Sequence, residues 1–235
     1  MIAVIIPTGK GREDKFKKCT DSLAKSSYTA WLLYEVNGDK GFTKAVNAGL
    51  MLPLSREEHQ SSLEYYLVLN DDTCLFPDAI WESIGFMAEH PKCGIMGFCN
   101  LRMENPDLII WGGSGKPFPA GQHKIGRISL GDLQVPTKER WVTFSGVFIR
   151  PEVVREIGLL DENLTWICSD SDYSYRARYA GWECWYNPKA KILHEHGVSG
   201  KPTKKLVNRF KLDQMAFANK WINGKLFFDL DNELL

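Results

Sequence analysis

The chain carries no excess of charge: 29 Lys and Arg are offset by 29 Asp and Glu. A balanced chain offers no basic field for nucleic acid, and no acidic surplus that would keep it unfolded. Long apolar stretches are missing too. None approaches the roughly 18 residues of a membrane span, and Met1 opens directly on an apolar run without a basic flank, so neither a span nor a signal peptide is expected. The six cysteines (Cys19, Cys74, Cys93, Cys99, Cys168 and Cys184) include no CxxC pair and no histidine at zinc-ligand spacing. That excludes a zinc knuckle and a disulfide framework, and reduced thiols favour the cytoplasm. Neither GK[ST] nor GxGxxG occurs, so the Walker and dinucleotide fingerprints are absent.

What is present is the make-up of a globular protein: 235 residues, 44% hydrophobic and 25% charged. This suits one large α/β domain with a C-terminal tail. The stretch around which the chain is organised is Tyr66-Leu67-Val68-Leu69 followed by Asn70-Asp71-Asp72-Thr73. Four large apolar residues read as a strand covered on both faces, and open α/β sheets bind ligands just beyond the carboxyl ends of such strands. If the extended geometry persisted, Asn70 and Asp72 would share a face and Asp71 would point away. Oxygen ligands of this kind suit Mg²⁺ or Mn²⁺. The alternative is a polar turn that caps the next helix.

The same pattern recurs on both sides. Ala3-Val4-Ile5-Ile6 leads into Pro7-Thr8-Gly9-Lys10-Gly11-Arg12 and then a helix through Phe16, Cys19 and Leu23; residues 31–36 form a second apolar run ending at Asn37 and Gly38, before a helix over 43–52. Strands alternating with helices predict a mostly parallel, doubly wound sheet with helices on both faces. Asn47 lies among apolar neighbours and needs a partner if buried, as a ligand contact or as a structural tie.

Downstream, residues 100–137 are rich in glycine and proline, with Trp111-Gly112-Gly113 near the centre, and read as a functional loop. Trp111 is a candidate sugar-stacking platform, or a half-buried pin for the loop. Residues 141–150 read as a strand interrupted by Gly146, a sign of a bulge or of close approach by a ligand. In Ser169-Asp170-Ser171-Asp172 the two aspartates diverge by about 200° on a helix. Asp172 has Arg176 four residues on, as a helix-surface ion pair, which leaves Asp170 as the unassigned carboxylate, either helix cap or catalytic group. Extended segments around Asn187-Pro188 then deliver His194-Glu195-His196. Residues 201–224 read as a basic amphipathic helix that docks on the domain, with peripheral contact to an anionic membrane as the alternative.

These residues, taken in order, resemble family-2 glycosyltransferases of the nucleotide-sugar-dependent GT-A type over most of residues 1–199. The resemblance is carried by Val4-Ile5-Ile6-Pro7-Thr8, by Gly41-Phe42-Thr43-Lys44-Ala45-Val46-Asn47-Ala48-Gly49 against a GFxxAxNxG segment, and by Leu69-Asn70-Asp71-Asp72 against a DXD metal motif. Ser145-Gly146-Val147-Phe148-Ile149-Arg150-Pro151, Ile157-Gly158-Leu159-Leu160-Asp161-Glu162, Ser169-Asp170-Ser171-Asp172, Arg176-Ala177-Arg178-Tyr179-Ala180-Gly181 and Pro188-Lys189-Ala190 through His194 follow the order of that family's second half.

The resemblance implies a GT-A domain over residues 1–200, with a nucleotide-binding half (1–99), an acceptor half (100–200) and a helical tail over 201–235. It implies an inverting transfer from a nucleoside-diphosphate sugar to a hydroxyl of a saccharide or glycan acceptor. Asp72 and His194 would hold Mn²⁺ or Mg²⁺, with Asn70 or Asp71 assisting, and Asp170 would be the general base. Pro7, Thr8, Lys44 and Asn47 would line the nucleotide pocket; Trp111, Gly112, Gly113, Ser145 and Gly146 would face sugar and acceptor. Two departures stand out. Ser169 replaces the usual Glu before Asp170, and the 37–40 connection is short, leaving Glu35, Asn37 or Asp39 to meet the base. Other readings are a sugar-nucleotide pyrophosphorylase, from the glycine-arginine loop at 9–12, and a catalytically silent carbohydrate-binding module.

Overall fold

The computed structural model describes residues 1–114, 123–128, 131–195 and 203–221. Its elements, in order, are β1 (Ile2–Thr8), α1 (Glu13–Ala24), β2 (Trp31–Asn37), α2 (Phe42–Leu54), the short α3 (Glu57–Gln60), β3 (Tyr65–Leu69), β4 (Thr73–Leu75), α4 (Ala79–Glu89) and β5 (Cys93–Arg102). They continue with β6 (Asn105–Trp111), β7 (Gly126–Arg127), β8 (Thr137–Glu139), β9 (Gly146–Ile149), α5 (Pro151–Ile157), α6 (Ser169–Tyr179), β10 (Glu183–His194) and α7 (Lys204–Trp221). The motif residues His196 and Gly197, and Phe118-Pro119-Ala120-Gly121 in the glycine-rich stretch, lie outside the described residues.

One sheet forms the frame, in the order β2-β1-β3-β9-β5-β10-β4, with β6 on β5, β7 on β6 and β8 on β10. β2, β1 and β3 are parallel, and so are β5 and β10; β9 runs against both of its neighbours and β4 against β10. The apolar run of β1 explains its central place. Ile2 to Ile6 are fully buried, with Ala3 and Ile5 in the cluster on one face and Ile2, Val4 and Ile6 in the cluster on the other. Alternation sends successive side chains to opposite faces, so a strand that is apolar at every position needs helices on both. α2 covers one face closely: a Cβ on Gly49 would lie 2.3 Å from Ile5 Cγ2, so only glycine lets the helix approach.

Three local expectations change. The strand read over 141–150 survives only as β9, because pairing to β3 and β5 begins at Gly146; residues 141–145 are irregular and Val142 N–H donates to Ser174 Oγ instead. The segments around Asn187-Pro188 join into β10, whose register against β5 shifts between Asn187 and Lys191. Asp172 is no surface partner for Arg176. It is fully buried, accepts from Arg176 Nε (3.1 Å) and Trp221 Nε1 (2.8 Å), and pairs with Lys220 Nζ at 2.7 Å. With Phe217 and Trp221 buried beside Leu164, Cys168 and Tyr175, and Asp213 accepting from the backbone of Trp166 and Ile167, α7 is tied to the domain. Its apolar stripe is spent there; Leu212 and Met215 remain exposed. Among the described residues no helix is long and apolar enough to cross a membrane, and the cysteines form no disulfide.

Candidate active site

Because β1 and β3 are parallel neighbours, their carboxyl ends open on the same edge of the sheet. There Thr8 Oγ1 donates to Asp71 Oδ2 at 3.0 Å. β3 stops at Leu69, and Thr73 N–H closes a turn onto Asn70 O, so Asp71 and Asp72 do not alternate as they would on a continued strand. Both instead meet one cation. Arg12, from the loop after β1, donates to Asp71 Oδ2 and Oδ1 (2.6 and 2.5 Å) and to Asp72 Oδ2 (3.0 Å). The two carboxylates hold the guanidinium charged, well above its ordinary range.

The other oxygen of Asp72 is different. Oδ1 is buried and takes no aligned hydrogen bond, while His194 Nε2, at the end of β10, stands 3.3 Å away. Glu195 N–H donates to Asp72 O and fixes this strand end to the turn. Burial pushes the Asp72 carboxyl up, but His194 and then Arg12 more than offset it, leaving it below the usual carboxylate range. Two neighbouring ligands of an octahedral Mg²⁺-type ion sit about 3.0 Å apart, given ligand distances near 2.1 Å. An oxygen and an imidazole nitrogen at 3.3 Å therefore fit a shared divalent ion. Among the described residues no group of three or more His, Cys, Asp or Glu converges as a metal cage, so such an ion would take its remaining ligands from water and a bound anion.

A cavity of about 660 Å³ opens beside this turn, lined on the sheet side by Pro7, Thr8, Gly9, Lys10, Arg12 and Asn70 to Asp72. The start of α6 lines the same cavity. Cys168, with φ +64°, is the one non-glycine residue with positive φ among those described, and the reversal presents Ser169 and Asp170 to the cavity. Asp170 is enclosed by protein, with part of its surface open to the cavity. Burial raises its carboxyl from 3.8 to about 6, against the backbone N–H of Ser171, of Asp170 itself and of Phe144, which favour the charged form. Trp141, Thr143, Phe144 and Ser145 form a third side, and Phe42, Trp166, Leu206 and Phe210 an apolar rim. A neighbouring cavity of about 620 Å³ shares Thr8, Gly9, Lys10 and Asp39 and is lined further by Glu13, Phe16, Glu35 and Asn37.

Thus Pro7, Thr8, Asn70, Asp71, Asp72, Ser145 and Asp170 line one cavity, Asn37 lines the adjoining one, and His194 abuts Asp72. Other sequence candidates lie elsewhere. Asn47 has its amide engaged by the backbone of Leu160 and by Glu162, the tie between α2 and the loop before α6. Lys44 is half exposed and 3.9 Å from Glu162. Trp111 is buried against Trp141 and Tyr186, so it backs the wall rather than forming it. Gly112 and Gly113 abut Leu133 and Glu139, and a Cβ on Gly146 would lie 2.7 Å from Ile192, so their lack of a side chain permits this packing, and none of the three lines the cavity.

Sequence reasoning passed over Arg12 as a cavity residue, along with Phe42, Trp141, Trp166, Leu206 and Phe210. Leu206 and Phe210 did carry a signal, a helical i, i+4 pair on the C-terminal amphipathic stretch; Arg12 carried only its place in the first glycine loop.

No protein-family model matches the sequence, and a search of curated proteins returns no match. Solved structures do match. GalNAc-T7 with UDP, GalNAc and Mn²⁺ aligns over 95% of this chain and 49% of its own length, at 12% identity and a TM-score of 0.69. The mannosyltransferase PcManGT from Pyrobaculum calidifontis, in complex with GDP-Man and Mn²⁺, aligns over 85% of this chain and 58% of its own, at 12% identity and a TM-score of 0.56. The chain spans about half the length of these structures. The shared fold is the single-domain, Rossmann-like GT-A fold of glycosyltransferases.

Proposed function

We propose that the chain is a divalent-metal-dependent glycosyltransferase that moves a sugar from a nucleoside-diphosphate donor to a hydroxyl of a saccharide or glycan acceptor, in the cytoplasm and with inversion, as the family-2 resemblance implies. One observation carries the reading: one cavity is lined both by an acidic turn, whose Asp72 has an imidazole against it, and by an enclosed carboxylate, Asp170, with its pKa raised to about 6. That arrangement separates handling of a leaving group from handling of a nucleophile. The two solved structures of the same fold hold UDP with GalNAc, and GDP-Man, each with Mn²⁺, which supports a nucleotide-sugar donor and a divalent ion for this chain.

In this mechanism the nucleoside lies over the cavity lined by Glu35, Asn37 and Asp39, and its diphosphate lies along Thr8, Gly9 and Lys10. Asp72 and His194 would hold Mn²⁺ or Mg²⁺, which offsets charge on the departing diphosphate. Lys10, which lines both cavities, adds a cation beside it. Asp170, mostly ionised at pH 7 with a pKa near 6, accepts the proton of the acceptor hydroxyl as its oxygen bonds the anomeric carbon and the anomeric C–O bond to phosphate breaks. The electron pair of that bond leaves with the diphosphate. Trp166 and Phe210 offer apolar surface to a pyranose, and buried Trp141 backs the same cavity, keeping the reacting atoms from bulk water.

A panel of UDP- and GDP-sugars incubated with Mn²⁺, read by release of nucleoside diphosphate and then by transfer to oligosaccharide acceptors, tests the proposal. Turnover is expected with at least one donor, with an Asp170→Asn variant slower by about 10²–10⁴-fold. Undiminished turnover in that variant would remove the base, and donor binding without turnover on any acceptor would favour the silent binding module.

A further inference from the structure

Arg12 occupies an unusual place for a cation beside a metal site. Its guanidinium is only partly exposed (29%), and it bridges Asp71 and Asp72 while leaving buried Asp72 Oδ1 to His194. Together the two carboxylates and Arg12 leave a single negative charge, which attracts a divalent ion far less than the bare acidic pair would. Neither carboxylate depends on Arg12 alone for its position, since Thr8 Oγ1 also holds Asp71, and the Glu195 N–H and His194 hold the Asp72 turn.

Building on the glycosyltransferase reading, we propose that Arg12 is an internal counterion that makes metal uptake conditional on the nucleotide. In the empty site Arg12 competes with the ion for the acidic pair. An arriving diphosphate gives the guanidinium fork new bidentate acceptors and brings further negative charge to the same wall, so Asp72 is released toward the ion and the ion becomes worth binding. Arg12 is thus a positioning residue that acts through Asp72, and it orders the events: metal and diphosphate enter, and leave, together. Linkage requires that the ion strengthen diphosphate binding by the same factor.

The test is Mn²⁺ binding by electron paramagnetic resonance titration of the full chain, alone and with saturating UDP or GDP, for wild type, Arg12→Gln and Arg12→Lys. Wild type is expected to bind Mn²⁺ at least tenfold more tightly with one of the two nucleotides than without. Arg12→Gln should bind Mn²⁺ alone at least tenfold more tightly than wild type and show little further gain from nucleotide. Arg12→Lys, which keeps the charge and most of the local structure, should bind Mn²⁺ alone as weakly as wild type. Arg12→Gln no tighter than wild type, or Arg12→Lys as tight as Arg12→Gln, overturns the inference while the glycosyltransferase reading stands. Wild type that binds Mn²⁺ under neither condition overturns that reading as well.

Discussion

Two aspartates separated by one residue, Asp170 and Asp172, should respond to the same substitution in opposite ways. Asp172 is fully buried and receives Trp221 Nε1, Arg176 Nε and Lys220 Nζ. Removing one partner of a buried ion pair costs about 3–5 kcal/mol when the remaining charge is stranded. Here Arg176 and Lys220 are 22% and 33% exposed and can regain water, and Arg176 keeps the carbonyls of Ile157 and Leu159. Asparagine also retains an acceptor for Trp221. The cost of Asp172→Asn is then about 2 kcal/mol, or a fall in Tm of about 4–8 °C for a chain of this size. Asp170 pays for being charged, its pKa having risen from 3.8 to about 6. At pH 7 that costs about 3 kcal/mol if fully enclosed; halved for the part open to the cavity, Asp170→Asn should gain about 1–1.5 kcal/mol and keep the Ser171 N–H contact. Thermal melts at pH 7, with donor turnover measured on the same samples, read both effects. Asp172→Asn should lose stability while the folded fraction turns over normally, and Asp170→Asn should melt at or above wild type with turnover reduced. Should Asp170→Asn melt several degrees lower, or Asp172→Asn melt like wild type, the assignment of structural and chemical roles is wrong.

Further outcomes follow from the same geometry. Below pH 6, kcat/KM should fall about tenfold per unit as Asp170 protonates, and a flat profile from pH 5 to 7 would exclude it as base. With a folded-state pKa above the unfolded one, Asp170 adds stability below pH 3.8 that is lost as pH rises through about 6, so the gap in Tm between wild type and Asp170→Asn should close on going from pH 7 to pH 4. Chelation with EDTA should abolish turnover, Mn²⁺ should restore it, and Asp72→Ala should lower Mn²⁺ affinity measured with UDP or GDP by at least tenfold. Asp213→Ala takes the acceptor from the N–H groups of Trp166 and Ile167; a loss of about 1–3 kcal/mol is expected in urea unfolding, since two partly buried donors lose their acceptor and regain only part of it from water. Asn47→Ala should destabilise by a similar amount and leave donor KM unchanged, because its amide ties α2 to Leu160 and Glu162.

Local pattern alone determined a good deal. The unbroken apolar runs of β1 and β3 require a doubly covered sheet, and the polar residues that end them had to lie at its edge, whereas the resemblance to family-2 glycosyltransferases, not local pattern, put the turn at 70–72 and the loop at 7–8 in one site. Local pattern left Asp170 open between helix cap and catalytic group; only the resemblance pointed to Asp170 as base and His194 as metal ligand. What no local pattern contains is which distant groups meet. Asn47 and Trp111 look like ligand contacts in one dimension because a polar residue among apolar ones, and an aromatic in a glycine-rich loop, read the same way whether their partner is a ligand or another part of the chain; only folding supplied Leu160 and Glu162 to the first, and Trp141 and Tyr186 to the second. Arg12 became the partner of an acidic pair some sixty residues away because β1 and β3 are parallel and adjacent. Leu206 and Phe210 reach the rim because buried Asp172 and Asp213 hold α7 in place. Strand formation and helix periodicity are short-range consequences of side-chain spacing, whereas charge pairing and cavity walls depend on contacts between segments far apart in sequence, which exist only once the sheet has set their order.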